Sequence, residues 1–230
     1  MFIGHYAAGL AARHLSHSLS RHPNHRQGNL PRGGPSLGTF FMAAQWVDLV
    51  WPVLVLLGVE KVAIAPGITA ITPLDFQHYP YTHSLLAALL WGAGFATVYR
   101  IVRKDTSGAL WLGAAVVSHW VLDWISHRPD LPLAPGLDTR VGLGLWNAPV
   151  AAVIVEVALF AAAGWAYLRA TRALDNTGRY ATWGLAAFLG VAYLANLLGP
   201  PPPSDTALAV SALALWLLVP WAYWIDRHRE

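Results

Sequence analysis

Apolar residues in this chain run in long blocks rather than alternating with polar ones. Six runs, at 36–58, 81–103, 108–127, 143–169, 181–198 and 206–225, each approach the roughly 20 apolar residues a helix needs to cross a bilayer. A span in lipid must satisfy its backbone internally, so the runs predict helices. The breakers fall between them. Pro31 and Pro35 precede the first run, Pro66, Pro73 and Pro80 the second, Pro129, Pro132 and Pro135 follow the third, and 200–203 are all proline. Pro52 and Pro220 lie inside runs and predict kinks there. The expectation is an all-α polytopic bundle of about six transmembrane helices, one integral membrane domain over 1–230, with no internal repeat.

Two segments stand outside the six runs. Residues 1–12 are apolar and too short to span, and predict a short N-terminal helix inserted part-way within the bundle. Residues 13–35 are polar and basic, with His17, His22 and His25, and read as a cytoplasmic loop near lipid headgroups, a metal-binding histidine tract being the alternative. With that loop inside and sides alternating, only Lys61, Arg128 and Arg140 of the 15 basic residues face outward. The split follows the positive-inside rule, so both ends of the bundle are expected in the cytoplasm.

Composition sharpens this. Residues are 56% hydrophobic and 12% charged, against about 25% charged in an ordinary soluble domain. There is no cysteine, which excludes disulfides, thiolate metal sites and a cysteine nucleophile. The pI of about 9.4 is explained by basic cytoplasmic loops, and no nucleic-acid partner is expected. The first residues lack a basic region before the apolar stretch, unlike a signal peptide. Trp146, Tyr167, Tyr180, Trp221, Tyr223 and Trp224 sit near run ends, where aromatic rings favour the interface.

Ionisable groups within spans are costly and mark candidate sites. Here they are His5, Asp48, His83, His119, Asp123, His127 and Glu156. At 1.5 Å per residue, Asp48 and His119 lie about 17–18 Å from the inner ends of their helices, and His83 and Asp123 about 25 Å. Glu156 comes down about 18–20 Å from the outer end, and His5 reaches about 12 Å inward. His119, Asp123 and His127 fall at i, i+4 and i+8 and share one helix face. Imidazoles and carboxylates gathered in one band suit zinc, manganese or iron. The plain alternative is a hydrogen-bonded core pair at His119–Asp123. His78, Asp75 and Asp130 read as loop residues, Thr82 and Ser84 as helix caps, Gln45 as a hydrogen-bond partner of Asp48, and Asn147 and Asn196 as groups bonding between helices.

The segments FIGHYAAGLAAR, AAQWVDLVWP, YTHSLL and SHWVLDWISH resemble the YdjM-like bacterial membrane proteins, described as LexA-binding, inner-membrane-bound, metal-dependent hydrolases. The likeness covers roughly the first 130 residues. It maps the family pattern onto His5, Asp48, His83, and His119 with Asp123. Many members carry His-Arg-Gly before Thr-His-Ser. This chain has His78-Tyr79-Pro80-Tyr81, so a candidate phosphate clamp is missing. A weaker likeness runs to zinc-dependent phospholipases C and single-strand-specific nucleases. The resemblance implies a bacterial inner-membrane hydrolase whose divalent metal, zinc foremost, is held by His5, Asp48, His83, His119 and Asp123. Asp48, Asp123 or Glu156 would act as general base on an activated water, and a phosphoester or lipid-like molecule would be the substrate. An ion- or proton-linked transporter, or a non-catalytic structural protein, are the alternatives.

Overall fold

The computed structural model describes residues 1–20 and 34–230. His22, His25 and most of the expected basic loop therefore lie outside the described residues. Helix α1 is Ile3–Ser20, so it continues well past residue 12, where a loop was expected to begin. Then come α2 (Leu37–Ala44) and α3 (Trp46–Leu56), a hairpin of β1 (Lys61–Ile64) and β2 (Leu74–His78), and the short α4 (Pro80–His83). Next are α5 (Leu85–Arg103), α6 (Thr106–Ser126) and a small hairpin of β3 (Leu131–Pro132) and β4 (Arg140–Val141). A 3-10 turn (Leu145–Asn147), α7 (Pro149–Ala170), α8 (Asn176–Leu198) and α9 (Asp205–Ala212) follow. A second 3-10 segment (Leu213–Leu217) and α10 (Leu218–Arg227) complete the chain.

Helices α5, α6, α7, α8 and the composite Asp205–Arg227 are each long and apolar enough to cross a membrane. The pair α2 and α3 makes a sixth, bent by 50°. The first run was expected to kink at Pro52. The break instead falls at Gln45, whose backbone leaves the helical region at φ −101°, ψ 5°, while Pro52 sits inside α3. In the second run Ser84 interrupts the helix: its extended backbone (ψ 153°) ends α4, and its hydroxyl accepts from Ala87 N–H to cap α5. The last run is interrupted by the 3-10 segment just before Pro220, where the ring removes an intrahelical donor.

Outward faces of the spans carry large apolar residues such as Leu90, Ile101, Val150 and Val191, the pattern of a protein whose solvent is lipid. Helices α5 and α6 form the tightest pair, crossing at Gly92 and Gly113. A Cβ on Gly92 would lie 2.9 Å from the Gly113 carbonyl, so small residues permit the close approach. Helix α1 packs on α7, α2 and α6 and is part of the core. Ile3, Tyr6, Ala7 and Leu10 are buried there with Tyr167 and Leu189. The two hairpins lie together at one end of the bundle: Arg140 donates to Gln77 O, and Leu86 N–H to Leu133 O.

Candidate metal centre

The bend at Gln45 places two groups at once. Asp48 falls in the first turn of α3, and Ala44 ends α2 with a carbonyl that the helix no longer uses. His119, on the buried face of α6, donates its Nδ1–H to that carbonyl at 2.8 Å. A carbonyl can only accept, so the neutral ring carries its lone pair on Nε2. That atom is buried with no hydrogen-bond partner among the described residues. It faces Asp123 Oδ2 at 3.2 Å and Asp48 Oδ2 at 3.6 Å.

His83 repeats the arrangement from the other side. Glu60 is buried and accepts the N–H groups of Tyr81 and Thr82 (2.8 and 2.9 Å), pinning the start of α4. The Thr82 hydroxyl donates to Glu60 Oε2 at 2.7 Å, so its oxygen accepts from His83 Nδ1, also at 2.7 Å. His83 Nε2 is left facing Asp48 Oδ1 at 3.2 Å and Asp123 Oδ2 at 3.9 Å. Two imidazole lone pairs thus confront two carboxylates. That is repulsive unless a proton or a cation lies between them.

The remaining expected residues fall around this core. His5 stacks on His119 with ring centres 3.5 Å apart, and its Nε2 lies 3.0 Å from Asp123 Oδ1. The Met1 amino group and Asp123 Oδ1 are 2.8 Å apart, so Oδ1 is engaged and Oδ2 is the oxygen turned to His119 and His83. Ligand atoms of His5, His119 and Asp123 lie within 4.8 Å of one another, as do those of Asp48, His83 and His119. His127 turns Nε2 toward Asp123 Oδ1 at 3.9 Å, with Nδ1 held by Asp130 at 2.9 Å. Glu156 does not join either group. Its Oε2 accepts from the N–H groups of Phe2 and Gly4 (2.8 and 3.3 Å), satisfying the open start of α1.

Several supporting residues were invisible or misjudged in the sequence. Asp130, read as a turn acid, anchors His127 and also accepts from Tyr79 at 3.1 Å and Arg128 Nε at 3.0 Å. Burial alone would raise its pKa, but the hydrogen bonds from His127, Tyr79 and Arg128 prevail and hold it below the ordinary carboxylate value. Asp75 pairs with Arg128, tying the first hairpin to the end of α6. Thr82, read as a cap, instead links His83 to Glu60, and Gln45 contributes its backbone bend, its Oε1 without a partner among the described residues. Asn147 lies in the 3-10 turn rather than in a span, and Asn196 bonds Ala192 O within its own helix. Glu60 carried no local sequence signal; its role appears only when the first hairpin folds back onto α4.

A cavity of about 420 Å³ adjoins the cluster, lined by His5, Asp48, His83, Asp123 and His127 on one side. Of the two aspartates, Asp48 is the reachable one, its side chain 27% exposed against 3% for Asp123.

A family model described as YdjM inner membrane protein matches residues 2–200. Searches of curated proteins and of solved structures gave no match. The chain belongs to the YdjM inner membrane protein family.

Proposed function

We propose, starting from that membership, that the protein is a divalent-metal-dependent hydrolase working within the inner membrane. The observation that carries it is the pair of fixed tautomers. Ala44 O and the Thr82–Glu60 relay hold the Nδ1 protons of His119 and His83, so both Nε2 lone pairs meet the carboxylates of Asp48 and Asp123. Backbone and carboxylate partners on the far ring nitrogen are the usual support of metal-binding histidines. Two imidazole nitrogens and two carboxylate oxygens are donors that would suit zinc, with manganese or iron as alternatives.

His119 has one lone pair to give, so the group with His5 and Asp123 and the group with Asp48 and His83 compete for it. This favours one cation at His119 over two that share it. His5 stacks against that ring and meets Asp123 Oδ1 at 3.0 Å, beside the four donors rather than among them.

When bound, such a cation polarises an ester oxygen and acidifies water. Asp48, open to the cavity, accepts the proton of the attacking water. The water oxygen bonds to the ester's carbonyl carbon or phosphorus, the bond to the alcohol oxygen breaks, and the proton passes to that oxygen. Asp123, buried and multiply engaged, orients the ligands. Glu156, expected as a base, serves to position α1 and therefore His5. The positive-inside pattern supports a cavity on the side away from the cytoplasm.

The test uses the full chain purified in detergent. Metal content is read by mass spectrometry after zinc dialysis, together with cleavage of p-nitrophenyl butyrate and bis(p-nitrophenyl) phosphate. One equivalent of metal, lost in His119→Ala along with cleavage of either ester, is expected. Metal content unchanged by His119→Ala, or none in the native chain, overturns the reading. Ion counter-flow in liposomes without ester cleavage would favour transport instead.

A further inference from the structure

The cavity lining is of two unlike kinds. Beside the imidazoles and carboxylates the lining holds apolar side chains: Leu197 from α8, Leu208 and Ala212 from α9, Leu215 from the following 3-10 segment, and Ile71 and Leu74 from the first hairpin. Among the described residues no lysine or arginine lines it, whereas Asp48, Asp123 and Glu156 do. A polyanionic, water-borne ester is usually met by arginine or lysine donors. Here it would meet carboxylates.

Neutral donors are present instead. Trp51 and Tyr193 are buried residues of the cavity lining, and the indole N–H of one and the hydroxyl of the other have no partner within the described protein. Buried donors are normally paired, so these two, covered as the cavity stands, fit a ligand that brings uncharged acceptor oxygens once the side chains turn to it.

The helices around these apolar side chains add a direction. α9 packs on α3 and α8 packs on α10, while α8 and α9 scarcely touch each other. Both belong to segments long and apolar enough to cross a membrane. The space between them therefore offers an acyl chain a route sideways into lipid, beside the loop residues Gly67, Thr69, Gly199 and Pro201 that line the cavity at the end of the bundle.

We infer that the cavity receives a bilayer lipid by its acyl ester. The ester oxygens accept from Trp51 and Tyr193, and the acyl chain lies on Leu197, Leu208 and Ala212 and leaves between α8 and α9. The volume is at the small end of ligand pockets, about 300–1,000 Å³, so the ester and the first part of the chain are held while the rest stays in the bilayer. The chemistry, though not the binding, rests on the hydrolase reading above. Water oxygen adds to the acyl carbon, the bond to the alcohol oxygen breaks, and fatty acid and alcohol leave, the alcohol oxygen taking a proton from the water.

The experiment places the full chain in phosphatidylcholine nanodiscs with a trace of phosphatidylcholine bearing a diazirine near the carbonyl end of one chain. After photolysis, adducts are mapped by peptide mass spectrometry. Adducts are expected at Leu197 and Leu208 as well as at the bilayer-facing Val210 and Leu217. Filling the gap by Ala212→Trp lowers the first two about tenfold and leaves the outer two unchanged. Leu215→Trp is the second variant, should the first fail to fold. Labelling confined to Val210 and Leu217, or indifferent to both variants, overturns the inference. The readout needs no catalysis, so the two readings fail separately. Cavity adducts without ester cleavage sink the hydrolase and leave a lipid site; cleavage of p-nitrophenyl butyrate without cavity adducts sinks the lipid site and leaves the hydrolase.

Discussion

At the end of the bundle away from the hairpins, two ion pairs stand partly or largely in the open. Asp175 takes a hydrogen bond from His228 at 2.7 Å in a partly exposed pair, and Arg172 pairs with Glu230 in a largely exposed one. At the hairpin end, Asp48 and Asp123 are each approached by more than one imidazole, within buried surroundings, and the protons that would settle the matter are already committed elsewhere. Exposed pairs contribute little and can be lost without consequence. A buried, over-subscribed group of carboxylates is costly unless a cation or extra protons relieve it. Residue types alone do not separate the two ends, since both use histidine, arginine and acids. The difference lies in where the second ring nitrogen is held and how far water is excluded.

That contrast can be broken most severely at the cluster. Replacing both Asp48 and His83, as Asp48→Asn with His83→Ala, removes two of four donors and is expected to weaken metal binding more than about 100-fold, beyond the 10–100-fold typical of supporting partners. Competition with a chelating dye measures it. Glu60→Gln or Thr82→Val leaves all donors in place but frees the His83 tautomer, and should cost about 10–100-fold in the same titration. Unchanged affinity would mean that the relay through Thr82 does not prepare the site.

A smaller effect is expected where the second hairpin meets the cluster. A Cβ on Gly142 would overlap the carbonyls of Arg128 and His127. Gly142→Ala should therefore destabilise the fold by about 1–3 kcal/mol, seen as a lowered unfolding midpoint. The smallest effects belong to the opposite end. Arg172→Ala should change neither the midpoint nor the metal content. The Gly178 N–H, and then His228, hold the Asp175 carboxyl below its ordinary range. Its contribution is present above the unfolded value of about 3.9 and fades as pH falls through the lower folded value. The midpoint difference between Asp175→Asn and the native chain should accordingly shrink below that pH.

The spans were legible because lipid demands long apolar runs, and His5, Asp48, His83, His119 and Asp123 stood out because few ionisable groups occur within them. The four-residue spacing of His119 and Asp123 placed both on one face of α6, where the structure has them. What sequence could not give was tertiary. Gln45 breaks its run because the fold turns there; the proline at 52, the obvious candidate, does not. Glu60, Tyr79 and Asp130 acquire their partners only when two hairpins fold against the helix ends. Glu156 looked like a ligand by depth, but the open N–H groups of a neighbouring helix claim it.

The Nε2 atoms of His83 and His119 are proposed to share a cation with Asp48 and Asp123. X-ray absorption at the metal edge of the zinc-loaded protein tests it most directly. A first shell of nitrogen and oxygen at about 2.0–2.1 Å, with outer-shell scattering from at least two imidazoles that drops by one ring in His83→Ala, is the predicted result. A spectrum of hydrated zinc without imidazole scattering, or one that His83→Ala leaves untouched, would contradict it.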